Sequence, residues 1–288
     1  MLKAMMAAGK RHEPAATTAM GPRLETNPAV VPRAKCMACR ALPDLFPFTM
    51  AFQPIIDLDH MRIDAYEALV RGPNGESASD VLGRVNRDNL YAFDQSCRIK
   101  AIELASHLRM DKQLNINFLP NAVYEPSACI RTTLETAART GFPRDRLTFE
   151  IVENETITSH QHLMRIITEY RRHGFKIALD DFGTGYSGLS RLAEMRPDIV
   201  KVDRSLIVDC HQDKFKMSIV SGLVAIGRET GVKIVIEGVE KEEEVRSLHD
   251  AGVRFMQGYF FARPKFEGIS VQVDLSSICD LAESKLCS

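Results

Sequence analysis

The sequence predicts an α/β barrel: eight strands closed into a ring, mostly parallel and alternating with helices, with one of the first two strands antiparallel. Three observations carry this. Between Thr49 and Gln257, short runs with apolar residues at every second position alternate with longer runs at helical spacing, and repeated strand–helix units build a parallel sheet covered by helices. Eight such strands in 288 residues fit a closed barrel better than an open sheet. The first two strands are joined only by the polar turn Asp57 to His60, whereas a parallel crossover needs about a dozen residues.

In order, residues 1 to 45 carry Pro14, Pro22, Pro28, Pro32 and Pro43, many Ala and Thr, and no periodicity, and are expected to form a mobile tail. Cys36 and Cys39 within it make one CxxC; without a second pair at zinc spacing they are expected to be inert thiols. Strands are expected at Met50–Ile56, Ile63–Val70, Gln113–Phe118, Arg146–Ile151, Lys176–Asp180, Asp198–Asp203, Val232–Glu237 and Val253–Gln257. Helices are expected over Tyr91–Leu108 and from Ser127, Ser159, Ser187, Lys214 and Glu242. The barrel is assigned to residues 46–270, and 271–288 to a tail or short helix.

Lys plus Arg number 37 against 38 Asp plus Glu, which gives no reason to expect binding to a nucleic acid polymer or an acidic membrane. No run approaches the roughly 18 apolar residues of a membrane span, and the N-terminus lacks the apolar stretch of a signal peptide. Seven scattered cysteines fit free thiols in a reducing compartment, so a cytoplasmic location is expected.

The functional reading starts at KIALDDFGTGYSGL, Lys176 to Leu189, where a strand ends in two adjacent carboxylates before three glycines. Adjacent carboxylates repel unless a cation sits between them. The period of two turns Glu67, Asn117, Glu150, Asp180, Lys201, Asp203 and Glu237 into the barrel and leaves Gln257 as the last strand residue. Active sites of such barrels lie at the C-terminal strand ends. Glu67, Glu150, Asp180 and Asp181 with the amide oxygen of Asn117 form an all-oxygen donor set, which favours Mg²⁺ or Mn²⁺ over zinc. That many carboxylates favours two ions, a centre suited to displacement at a phosphoester. Lys201 would orient the water or neutralise charge, and Glu237 is the candidate base. The glycine loop lacks GxGxxG spacing, which argues against a dinucleotide cofactor. Phe255, Tyr259, Phe260 and Phe261 are expected in the core.

YEALVRG at Tyr66 resembles the signature of EAL domains, phosphodiesterases of the bacterial messenger cyclic di-GMP. FQPI at Phe52, NFLP at Asn117, FEIVE at Phe149, DDFGTGYSGL at Asp180, DIVKVD at Asp198, IEGVE at Ile236 and QGYFFARP at Gln257 extend the resemblance over about Phe48 to Pro264. EAL domains attached to blue-light BLUF sensors also read NFLPNAVY. The resemblance implies a modified TIM (β/α)8 barrel with an antiparallel first strand. It implies metal ligation by Glu67, Asn117, Glu150, Asp180 and Asp181, and water activation by Lys201 and Glu237. Gln53, Arg71, Asp203 and Gln257 would contact substrate, Arg71 on a phosphate and Gln257 on a base. Glu153 and Glu240 would hold the glycine loop. Hydrolysis of cyclic di-GMP to pGpG with two Mg²⁺ or Mn²⁺ ions is implied, with Ca²⁺ inhibiting, in a homodimer formed near the helix after Asp181. Val152, Leu119 and Gly188 depart from many relatives at positions that are not ligands. The rival reading is a cyclic di-GMP receptor that signals through protein contacts; a third is a purely structural partner.

Overall fold

The computed structural model describes residues 45–152, 159–185, 188–279 and 281; the expected tail, Cys36, Cys39 and Glu153 lie outside these. Strands β1 (Thr49–Asp57) and β2 (Arg62–Arg71) form an antiparallel hairpin whose register runs from Thr49 opposite Arg71 to Asp57 opposite Arg62. Next to β2, in parallel, come β3 (Gln113–Asn117), β4 (Leu147–Val152), β5 (Lys176–Phe182), β6 (Ile199–Val202), β7 (Lys233–Ile236) and β8 (Phe255–Met256). β8 returns to β1 in antiparallel pairing and closes the ring. The antiparallel strand is therefore β1.

β8 covers only Ile56 and Asp57 of β1. A ninth strand, β9 (Lys265–Phe266), pairs with Ala51 and Phe52, and Glu267 N donates to Met50 O at 3.0 Å. Backbone groups of β1 left open by the short β8 thereby find partners. Of the segment 271–288, expected to be a tail or short helix, the described part carries a 3₁₀ turn at Ser276–Ile278, and residues 280 and 282–288 lie outside the described ones.

Seven helices occur among the described residues. The first, α1 (Ala78–Leu82), was not anticipated: five residues are too few to show periodicity, although Ser77 and Asp80 cap it reciprocally. The others are α2 (Leu90–His107), α3 (Pro126–Thr140), α4 (His160–Arg172), α5 (Gly188–Met195), α6 (Lys214–Thr230) and α7 (Glu242–Asp250). α4 starts at the Ser159 cap. α6 starts at Asp213, which accepts from Phe215 N and Lys216 N, and stops at Gly231 in the left-handed region, φ 77°.

Strand alternation sorts the core into two compartments. Leu114, Ile116, Phe149, Ile177, Leu179, Val200, Val202, Ile234 and Ile236 pack outward under the helices. Each such side chain contributes about 1.5–3 kcal/mol by leaving water. Ile55, Ala65, Ala178, Ile199 and Val235 point inward and plug the lower lumen with Phe255. The next inward residues on the same strands are the polar ones, so the apolar plug is the floor of the site.

Two ion pairs on buried carboxylates brace this frame. Arg98, fully buried between the faces of Phe118, Phe149 and Tyr170, donates to Asp94 at 2.5 Å and to the Tyr170 hydroxyl at 2.6 Å. Asp94 also accepts from Leu119 N at 2.9 Å, two residues past Asn117, so a helix charge fixes the loop leaving β3. At the other end of the barrel, Arg254 places both arms of its fork on buried Asp57 at 2.7 Å. Burial alone would raise the Asp57 pKa; Arg254, helped by His60, brings it below the usual carboxylate range.

Candidate metal centre and active site

Lys201 is the geometric centre of the mouth. The period of two on β6 turns it inward, above Ile199, and it is fully buried. Its Nζ lies 2.6 Å from Glu237, 2.9 Å from Glu150, 3.2 Å from Glu67 and 3.3 Å from Asp180. An ammonium has three protons to offer, so four carboxylates from four strand ends compete for one cation.

Their charge is unbalanced, and the proton equilibria follow. Burial pushes Glu150 and Glu237 well above the usual range; Lys201 opposes this, while the neighbouring carboxylates add to it. Asp180 rises to about 6, through burial first and then Glu67 and Asp181, against the pull of Lys201. Glu67 goes the other way. Burial would raise it, but Lys201 and hydrogen bonds from Gln257 and Asn117 outweigh burial and leave it lowered. For Lys201 itself burial favours the neutral amine, and the four carboxylates overcome that and hold it well above its ordinary value. Crowded carboxylates offset by a single ammonium have the charge and the donor atoms that suit a divalent cation.

The acidic groups fall into two overlapping clusters: Glu67, Glu150 and Asp180, and Asp180, Asp181 and Glu237. Within each, one ligand atom per residue lies within 4.8 Å of the others. Asp180 belongs to both. Its buried Oδ1 has no hydrogen bond, only the ion pair with Lys201. Asp181 reaches its place from a left-handed backbone, φ 54°, an uncommon conformation for a residue with a side chain. Thr184 N and Oγ1 donate to its carbonyl at 3.1 and 2.8 Å. Oxygen-only donors, deep burial and excess negative charge fit hard divalent cations such as Mg²⁺ or Mn²⁺.

Amides hold the carboxylates in place. Asn117 Nδ2 donates to Glu67 at 3.0 Å, which leaves its Oδ1 for another partner. Gln257 Nε2 donates to Glu67 at 2.9 Å and to Gln53 Oε1 at 3.2 Å, and Gln53 Nε2 donates to Ala262 O at 3.1 Å. Sequence reasoning missed Asn115, whose Nδ2 donates to Glu150 at 2.7 Å. The signal was present: in QLNIN the residue two before Asn117 must face the same way.

Above the carboxylates opens a cavity of about 640 Å³, walled by Arg71, Asp181, Arg204, Glu237, Gln257 and Tyr259 among others. Arg71 donates to its own neighbour Val70 O at 2.7 Å. Tyr259 corrects an expectation: it is 49% exposed in the cavity wall, with the Arg263 guanidinium 4.2 Å from its ring centre. Phe261 is buried against Phe260, as expected of core residues. Asp203, expected to face inward with Lys201, follows the end of β6 in extended backbone, and its N–H still donates to Phe182 O of β5 at 3.1 Å. Its carboxylate accepts from Ser205 N at 2.9 Å and caps a 3₁₀ turn, Arg204–Leu206. Glu240 receives Arg204 Nη2 at 3.0 Å.

Comparison with known proteins agrees with this geometry. The family model described as EAL domain matches residues 40–264. A standalone versatile EAL protein from Vibrio cholerae O395, solved in its c-di-GMP-bound form, is 49% identical with a TM-score of 0.76, over 80% of this chain and 96% of that one. Klebsiella pneumoniae BlrP1, in a manganese and cyclic di-GMP complex, is 34% identical with a TM-score of 0.75, over 80% of this chain and 59% of that one. The blue light- and temperature-regulated antirepressor BluF of Escherichia coli K12 is 29% identical over 221 residues, 76% of this chain and 55% of that protein. The chain spans about half or less of the length of the curated relatives it matches first.

Proposed function

The chain belongs to the EAL domain family, and from that premise we propose that it hydrolyses cyclic di-GMP to linear pGpG. The observation that carries the reading is Asp180, shared by two buried acidic clusters around Lys201 beneath an open cavity.

Glu67, Asn117, Glu150, Asp180 and Asp181 would hold two Mg²⁺ or Mn²⁺ ions. When bound, such ions supply Lewis acidity toward water and the phosphoryl group. Arg71, at the cavity wall, binds a phosphate by charge. Gln257 orients Glu67, Gln53 holds Gln257, and both meet the ligand from the cavity wall. Lys201 fixes the carboxylate of Glu237. Glu237, held at 2.6 Å from Lys201 Nζ, takes the proton of the attacking water. The water oxygen bonds to phosphorus, the phosphorus–oxygen bond to one ribose breaks, and that oxygen leaves with a proton from solvent while Glu237 returns its own to solvent.

The test is incubation of the purified chain with cyclic di-GMP and Mg²⁺ or Mn²⁺, followed by chromatography. Linear pGpG is expected. Ca²⁺, larger and a weaker Lewis acid, is expected to support binding without hydrolysis and so to inhibit. Retained binding with no product in Mg²⁺ or Mn²⁺ would establish the receptor reading instead. A matching relative named as an antirepressor gives that reading its support.

The proposal extends to a homodimer acting in the cytoplasm. Leu189 at the start of α5 is 66% exposed and Phe215 on α6 is 78% exposed. A groove of about 500 Å³ beside Leu189 is lined by Gly183, Leu189, Ile219, Leu223 and Ile226. Such an apolar face fits a second copy of the chain. Light scattering at micromolar protein should report a dimer; a fully active monomer would remove association from the mechanism. Among the described residues, no helix is long and apolar enough to cross a membrane.

A further inference from the structure

We infer that the 3₁₀ turn following β6, Arg204–Leu206 with its cap Asp203, is the element that positions the upper carboxylate cluster, and that Arg204 is its positioning residue. The inference rests on the metal reading above and goes beyond it by separating the supports of the two clusters.

The upper cluster, Asp180, Asp181 and Glu237, comes from the ends of β5 and β7. In the sheet these strands are not neighbours; β6 lies between them. Whatever fixes the two loops relative to each other has to pass over the end of β6. The turn stands at that place. It is rigid for its size: Asp203 accepts from Ser205 N through its side chain, and from Leu206 N at 3.1 Å through its carbonyl.

Toward β7, Arg204 Nη1 donates to Gly238 O and Nη2 donates to Glu240 at 3.0 Å. Gly238 directly follows Glu237. It sits at φ +68°, and a Cβ there would lie 2.7 Å from Arg204 Cβ, so the two segments touch backbone to stem. Toward β5, Leu206 packs under Gly183, two residues beyond Asp181. Gly183 has φ +100°, and a Cβ there would meet Leu206 Cγ at 2.8 Å. One turn thus grips both loops, each within two residues of a carboxylate of the cluster. Fully buried Glu244 repeats the link one layer out: it accepts from Asp209 N at 3.0 Å and from Glu240 N at 3.1 Å, and Lys241 pairs with Asp209 at 2.5 Å. The loops after β6 and β7 are built to move as one body.

The lower cluster is supported differently. Glu67 is held by Asn117 and Gln257, and Glu150 by Asn115. None of these contacts involves the turn. Loss of Arg204 should therefore loosen one half of the centre and leave the other half as it was. Arg204 is about one-third exposed, so its removal leaves Gly238 O to water rather than unpaired in the core.

The experiment is Mn²⁺ titration of the full chain without substrate, followed by electron paramagnetic resonance, on wild type, Arg204→Ala and Arg204→Lys. Wild type is expected to bind two ions. Arg204→Ala should retain one site and weaken the other by about 10–100-fold, the usual effect of losing a group that orients a ligand. Arg204→Lys should recover part of the loss, because an ammonium still donates to Gly238 O. Cyclic di-GMP affinity in Ca²⁺ should change far less than the weakened Mn²⁺ site. Two intact Mn²⁺ sites in Arg204→Ala overturn the inference, as does equal loss of both. A loss confined to dinucleotide affinity makes Arg204 a substrate contact and also overturns it. Wild-type protein that binds no Mn²⁺ sinks the metal reading itself, and this inference with it.

Discussion

Asp180→Ala is expected to reduce hydrolysis of cyclic di-GMP to background in Mg²⁺ and Mn²⁺ alike. Asp180 is the one carboxylate common to both clusters, so its removal weakens both sites, where Glu67→Ala takes a donor only from the lower one. The fold should survive. The lumen below is closed by Ile55, Ala65, Ala178, Ile199 and Val235, and none of these depends on Asp180. In the metal-free protein the thermal midpoint should hold or rise, since one of four carboxylates crowding Lys201 has gone and the remaining repulsion is smaller. Calorimetric Mn²⁺ titration and a melting curve check both halves. Near-normal turnover in Mg²⁺ would show that Asp180 is not a shared ligand.

Glu237→Gln is expected to lower kcat by at least about 100-fold, the range of a positioned general base, while affinity for cyclic di-GMP in Ca²⁺ changes little. Glutamine keeps the length of the side chain and its hydrogen-bonding reach but cannot take a proton. The discriminating measurement is binding in Ca²⁺ beside turnover in Mg²⁺. A loss of transition-state stabilisation appears in kcat alone, and a lost ligand contact appears in both. Parallel collapse of affinity and rate would make Glu237 a metal or substrate contact.

The placement of Glu67, Asn117, Glu150, Asp180, Lys201 and Glu237 was legible because strand alternation is strict geometry. Once the outward face is known, the inward residues have no freedom. At Asp203, one residue beyond the end of β6, alternation does not report the second part the carboxylate plays, which is to cap the following turn. Asn115 obeyed the rule but lies one pleat below the mouth, and only its contact with Glu150 singles it out. Tyr259 could not be distinguished from Phe261 by sequence. Two neighbouring aromatics on an irregular turn carry no period, and their exposure depends on where the chain bends. β9 was illegible because two residues hold no pattern; the open groups of β1 call for it, and those are a property of the ring. Arg204 is the clearest case, since its partners Gly238 and Glu240 lie 34 and 36 residues away on another loop.

The Asp57–Arg254 clasp at the far end of the barrel has a consequence for how the chain reaches this state. Each strand–helix unit from β2 to β8 pairs with its successor and can form from nearby sequence. The seam cannot: Asp57 waits for a partner 197 residues downstream, and β1 waits for β8 and β9. The entropy of closing so long a loop grows only with the logarithm of its length, so the finished ring loses little stability to it. Folding speed is more sensitive, because contacts between distant residues form late. Until they form, β1 is a hairpin with an unpaired outer edge, open to association with another chain. Substitutions at the seam should therefore register first as slow refolding and aggregation, and substitutions at the mouth as lost chemistry in a chain that folds normally.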